Sequence, residues 1–198
     1  MAAPIVVVAG APRCGSTLLM RMLYMGGLEV VANLGRISFE DARAAAVPLS
    51  ATFLRDCQGR AVKILDPHRH QLMEGFAYEV LWLHRDPDQQ AQSQLKFLRD
   101  VGGMPVQADR RTRRAIARSI VEDYQAFQRL RAGLSCHRIL ELHFERLLTA
   151  PNTCAVRIVE FLERPLDRLR MAEVVIPRPP TCLAGFLELS MTDAVRSA

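Results

Sequence analysis

The stretch that most restricts how this chain can fold lies at its start. The apolar run "PIVVV" (4–8) leads into "GAPRCGST" (10–17) and then into the helix-like "LLMRMLYM" (18–25). A short, continuous, β-branched run ending in glycine fits a strand buried on both faces, the kind found in parallel sheets. We therefore read Ile5–Ala9 as a strand and 17–25 as a helix, stopped by Gly26 and Gly27. Gly10 and Gly15 have the separation of the phosphate-binding pattern G-x-x-x-x-G-K-[ST], but Ser16 and Thr17 follow the second glycine, so the pattern's lysine is missing.

Four further segments read as strands: "LEVVA" (28–32), "AVKIL" (61–65), "YEVLWLH" (78–84) and "RILELHF" (138–144). The segments between them are long enough for helical crossovers, which parallel neighbours need. Between the last two lies an amphipathic helix, with Ile116, Ile120, Tyr124, Phe127 and Leu130 recurring at three- and four-residue steps. A final helix is expected over 151–163, entered through Pro151. The expectation is an α/β fold, a three-layer α/β/α arrangement around a mostly parallel five-stranded sheet. One domain over 1–198 is the simplest organisation at this length, with the proline-broken 176–198 as a loose tail or lid.

Composition narrows the class further. With 49% hydrophobic and 24% charged residues the chain is ordinary for a globular protein. Its apolar runs fall short of the roughly 20 residues that span a bilayer, so a soluble, cytoplasmic protein without membrane contact is expected. The five cysteines (14, 57, 136, 154, 182) form no C-x-x-C pair, which points to reduced thiols rather than a disulfide framework or zinc site. A net charge of +5 favours anionic partners. Arg110, Arg111, Arg113, Arg114 and Arg118 read as a solvated helix end, and no nucleic-acid recognition motif accompanies them.

A glycine turn entering a helix gathers backbone N–H groups into an anion nest, reinforced by the helix dipole. Arg13 can fork onto phosphate or sulfate oxygens, and the Ser16 and Thr17 hydroxyls can donate too. A second anion site is suggested by "LHRDPDQQAQS" (83–93), which sets Arg85 at a strand end and Ser93 in the second turn of a helix starting near Pro87.

These stretches resemble the sulfotransferases that use 3′-phosphoadenosine 5′-phosphosulfate (PAPS). "APRCGSTLL" is similar to that family's 5′-phosphosulfate loop, "LHRDPDQQAQS" to its 3′-phosphate motif, and "LHFERLLTAPNTCAVRIVEFL" (142–162) to its later helix entry. The resemblance implies sulfuryl transfer from PAPS to a hydroxyl or amine, with no metal required, and a strand order 2-3-1-4-5. It places Arg13, Cys14, Gly15, Ser16 and Thr17 on the 5′-phosphosulfate, and Arg85 and Ser93 on the 3′-phosphate. It also implies a small-molecule or glycan acceptor, with a homodimer as one way for a short chain to complete the acceptor site.

In-line transfer needs alignment, proton removal and stabilisation of charge on the leaving phosphate. Arg13, with the loop amides, is the candidate for that charge, while Lys63 either reaches the transferring sulfuryl group or caps the end of its strand. Many relatives carry a histidine base near the third strand, where this chain has Leu65. Glu40 in "SFED" (38–41) is the preferred carboxylate, although the same four residues can be read as a helix cap. Asp66, His68 and His70 in "DPHRH" come next. Two other readings stay open: a divergent kinase of small metabolites, weakened by the missing lysine, and a non-catalytic nucleotide or RNA binder.

Overall fold

The computed structural model describes residues 2–32, 39–70, 72–100, 109–133 and 138–176. Most of the expected tail, from 177 onward, lies outside the described residues, as do Ser38, Cys136 and Cys182. Five strands form one parallel sheet in the order β2-β3-β1-β4-β5: β1 Ile5–Ala9, β2 Val30–Val31, β3 Ala61–Lys63, β4 Tyr78–His84 and β5 Arg138–His143. β1 is central and wholly buried, as its unbroken apolar run requires.

Alternation along β1 divides the core between the two faces of the sheet. Val6 and Val8 join the cluster formed with α1 (Ser16–Met25), α5 (Phe144–Thr149), α6 (Pro151–Leu162) and α7 (Arg168–Glu173). Ile5, Val7 and Ala9 face the opposite cluster, with Phe53 and Leu54 of α2 (Ala51–Asp56) and Phe127 of α4 (Arg110–Gly133). Trp82 stacks on Phe127 with ring centroids 4.0 Å apart, fixing α4 to that face. α3 (Pro87–Asp100) packs beside α4. The three-layer α/β/α architecture is as the sequence predicts.

Several boundaries differ from expectation for local reasons. Pairing in β3 ends at Lys63, after which the Asp66 backbone turns left-handed (φ 51°) into a 3-10 turn at Pro67–Arg69. β2 is only Val30–Val31 rather than 28–32, because only those residues pair with β3. Phe144 opens α5 rather than closing β5. The short turn at Ala42–Ala45 is capped by Asp41, whose side chain accepts from the Arg43 N–H at 2.9 Å. The cap is therefore the last residue of "SFED", which leaves Glu40 available for other contacts. Away from the loop, Glu79 on β4 is buried between Arg164 (3.1 Å) and Arg138 (3.4 Å), and burial pushes its carboxyl up against the pull of both.

Candidate functional site

Parallel strands expose their carboxyl ends at one edge of the sheet, and there the glycine loop joins β1 to α1. A side chain at Gly10 would meet the Leu83 carbonyl at 2.7 Å and the Cys14 sulfur at 2.8 Å. One at Gly15, whose φ is +105°, would strike the Phe144 ring at 2.3 Å. Both positions demand glycine, for close approach as well as for backbone angle.

The loop's carbonyls are held from outside. Gln90 Nε2 donates to the Ala11 and Pro12 carbonyls at 3.0 and 2.8 Å. Arg85 Nη1 donates to the Arg13 carbonyl at 3.1 Å. Peptide N–H and C=O groups point in opposite directions, so tying the carbonyls down on one side presents the amide edge on the other. The N-terminal end of α1, where the Leu18 and Leu19 amides donate to the Gly15 carbonyl at 3.0 and 3.2 Å, adjoins that edge.

The predicted donor residues converge. Arg13, in a left-handed conformation (φ 68°), donates from Nε to Ser93 Oγ at 3.3 Å, and its guanidinium lies 5.1 Å from the Phe97 ring centre. Arg85 lies over the Phe144 ring at 4.5 Å. The two anion sites read separately from sequence are thus one continuous surface. Lys63, at the end of β3, reaches the Thr17 hydroxyl at 3.4 Å and Glu40 at 3.1 Å. A neighbouring strand therefore supplies the ammonium that the loop lacks. Cys14 and Ser16 turn inward: Cys14 is fully buried, its thiol pushed up to about 11 by burial despite Ser16 hydrogen bonds, and its amide donates to the Ala11 carbonyl at 3.2 Å.

The carboxylates stand apart from one another in character. Glu40 has a side chain 54% exposed and pairs with Lys63, whose own side chain is only 4% exposed. Asp66 is half-buried beside the loop, its amide directed to the Gly10 carbonyl at 3.4 Å. Burial first, and Asp123 second, raise its carboxyl to about 6, with Arg69 and His70 pulling the other way. His68 and Arg69 both contact Asp123 on α4, at 3.3 and 2.9 Å, while His70 Nδ1 lies 2.9 Å from the Ala46 carbonyl. Among the described residues no group of His, Cys, Asp and Glu side chains is arranged to hold a metal.

Beside the loop, a cavity of about 340 Å³ lies between the ends of β4 and β5 and α4, lined by Trp82, His84, Arg85, Gln90, Tyr124 and His143 among others. His84 Nε2 lies 3.1 Å from Glu141 Oε2, and Tyr124 and Gln128 donate to the same carboxylate at 3.3 and 3.2 Å. Burial lowers the His84 pKa. It also works to raise that of Glu141, but the donors outweigh it and hold the carboxylate low. Sequence reasoning missed this network, along with Gln90 and the structural use of Phe144. Gln90 sits four residues into α3 on the turn facing the loop, the one signal that could have marked it.

A parallel sheet in this order, with a glycine loop running from its central strand into a helix and helices on both faces, is the three-layer α/β/α architecture of sulfotransferase domains. Comparison refines that class. The profile described as "Sulfotransferase family" matches residues 78–168, which include Arg85, Ser93 and Phe144 but not the glycine loop. Among solved structures, the sulfotransferase domain of the Synechococcus PCC 7002 olefin synthase superposes with a TM-score of 0.58 at 21% identity, covering 94% of this chain and 87% of that one. The sulfotransferase domain from the curacin biosynthetic pathway gives 0.53 at 17%, covering 91% and 86%. Mouse sulfotransferase SULT7A1, solved with PAP, gives 0.55 at 13%, covering 86% of this chain and 62% of its own. Comparison with curated protein sequences gives no match. Profile and fold together point to the sulfotransferase family.

Proposed function

We propose that the chain, as a single sulfotransferase-like domain, transfers a sulfuryl group from PAPS to a hydroxyl or amine on a small-molecule or glycan acceptor. The observation that carries this reading is the continuous donor surface in which Arg85 holds the Arg13 carbonyl and Arg13 bonds to Ser93. A nucleotide with an anionic group at each end of its ribose fits such a surface, and the donor set suits it. The loop amides with Arg13 and Thr17 take the 5′-phosphosulfate, Gly15 and Cys14 shape that loop, and buried Ser16 supplies backbone; Arg85 and Ser93 take the 3′-phosphate. Two relatives by fold were solved with PAP, SULT7A1 and a retinol dehydratase, which supports the same ligand here.

When bound, PAPS supplies an activated sulfuryl group on a phosphate leaving group. Lys63, poised between Thr17 and Glu40, stabilises negative charge gathering on that phosphate, and Arg13 shares the task. Glu40 is the counter-ion that holds Lys63 in place. The site needs no divalent ion for this chemistry, because cationic side chains do the neutralising, and no helix among the described residues is long and apolar enough to cross a membrane. A cytoplasmic enzyme acting alone or as a homodimer is the arrangement we propose.

Calorimetric titration with 3′,5′-phosphoadenosine (PAP), beside ATP with and without Mg²⁺, tests the reading. Micromolar, metal-independent PAP binding that weakens at least tenfold in Arg13→Ala and Arg85→Ala is the expected result. Preferential binding of ATP with Mg²⁺ would replace it with the kinase reading.

A further inference from the structure

Sulfuryl transfer requires that a proton leave the acceptor, and the two carboxylates at the carboxyl edge of the sheet are not equivalent. Glu40 is exposed and already committed to Lys63 at 3.1 Å. Asp66 lies on the turn that follows β3, its backbone in a left-handed conformation (φ 51°, ψ 53°) that a non-glycine residue seldom adopts. Its amide faces the Gly10 carbonyl, which places the residue against the mouth of the glycine loop. Oδ1 of Asp66 is buried and, among the described residues, has no hydrogen-bond donor. An oxygen buried without a donor is destabilising, the more so when it is charged. Backbone strain and an unsatisfied acceptor on one residue, beside a loop built for an anion, mark a group kept for a partner that arrives with the substrate.

The groups facing Asp66 are Asp123 from α4 and Arg69 and His70 from its own turn, while the Cys14 thiol in the loop feels both Asp66 and Lys63. Their sum leaves a carboxyl that titrates at about 6, ionised at neutral pH yet with a greater affinity for a proton than a solvated aspartate.

We propose that Asp66 Oδ1 is the proton acceptor of the reaction, an inference that rests on the sulfotransferase reading above. The acceptor oxygen or nitrogen forms its bond to sulfur as the sulfur–oxygen bond to the 5′-phosphate breaks. The electron pair of that bond stays on the phosphate oxygen, and the acceptor proton passes to Asp66. Asp123, held by His68 and Arg69, is a positioning residue that maintains the field around this carboxyl. The acceptor group therefore enters beside the Pro67–Arg69 turn.

The test uses Asp66→Asn, since asparagine matches the shape and tolerates left-handed backbone, with Glu40→Gln for comparison. Three readouts are taken: PAP affinity by calorimetry, PAPS hydrolysis with water as the acceptor, and carboxyl ¹³C titration of aspartate-labelled protein. Asp66→Asn should bind PAP within about threefold of the wild type, hydrolyse PAPS at least about 100-fold more slowly, and lack a resonance that titrates near 6. Glu40→Gln should slow hydrolysis through Lys63 but keep the wild-type rise in rate around pH 6. Hydrolysis by Asp66→Asn within threefold of wild type, wild-type hydrolysis no faster than in buffer, or an Asp66 titration below pH 5 would each overturn the assignment. If the wild type fails to bind PAP, the sulfotransferase reading falls and takes this assignment with it. PAP binding alongside a fully active Asp66→Asn removes this assignment alone.

Discussion

Replacing Gln90 by leucine keeps the volume of the side chain and removes two of the three side-chain hydrogen bonds described above that hold the loop carbonyls. Gln90 is 1% exposed, so water cannot readily take its place. The Ala11 carbonyl keeps a second donor, the Cys14 amide at 3.2 Å, whereas among the described residues no backbone amide supports the Pro12 carbonyl against the loss of its 2.8 Å contact. Two neutral hydrogen bonds at about 1 kcal/mol each, plus part of the penalty for a stranded carbonyl, give roughly 2–3 kcal/mol of destabilisation. For a chain of this size that lowers the melting midpoint by roughly 5–10 °C. Since Pro12 precedes Arg13, the loosened loop should also bind PAP about tenfold more weakly, equivalent to about 1.4 kcal/mol. Melts followed by circular dichroism and a PAP titration give both numbers. If Gln90→Leu melts within 1 °C of wild type and binds PAP equally well (about the resolution of such a melt), the loop is held by packing and the argument from these bonds is wrong.

Asp66→Asn should change stability in a pH-dependent way. The folded carboxyl titrates at about 6 against an ordinary 3.8, so its stabilising contribution is complete below the lower value and is lost as pH rises through the upper one. Asparagine mimics the protonated form and escapes that loss, giving a gain near zero at pH 4 that grows to about 1–2 kcal/mol above pH 7, after discounting for partial exposure; denaturant melts at the two pH values check it, and an equal effect at both would refute it. Gly15→Ala must accommodate a Cβ 2.3 Å from the Phe144 ring at φ +105°, so it should cost at least about 2 kcal/mol. The Gly15→Ala/Phe144→Ala pair should cost less than the sum of its parts by about 1 kcal/mol or more in a double-mutant cycle. Cys14, buried and pushed up to about 11, should resist iodoacetamide at pH 8 in the native protein and react on unfolding, as peptide mass spectrometry would show.

What could be read in advance follows from how physical information is distributed along the chain. β1, α1 and β4 carry their own periodicity and punctuation, so they appear where the sequence places them. The convergence of Arg13, Arg85 and Ser93 was legible because each lies at a fixed offset from a strand end. Gln90 was not, since its place four residues into α3 does not by itself say which carbonyls it will meet 78 and 79 positions away. The Lys63–Glu40 pair likewise depends on the sheet bringing β3 beside β2, the strand that precedes Glu40 in the chain, and no local pattern encodes a contact across 23 residues. In "SFED" the capping spacing was visible, but only the three-dimensional turn showed Asp41 making the cap. Short helices such as α5 and α7 offer too few turns for a periodic signal, and tertiary packing supplies what propensity does not.

Phe144 lies beneath the Arg85 guanidinium on one side, 4.5 Å from its ring centre, and leaves no room for a Cβ at Gly15 on another. A benzene ring does not compress, so it acts as a gauge block between the arginine assigned to one phosphate and the loop assigned to the other. On the donor assignment proposed above, the spacing between the two phosphate contacts is thereby set by a rigid object rather than by flexible side chains. A nucleotide carrying its second phosphate at the 2′ position would present the wrong length to that gauge, whatever its total charge.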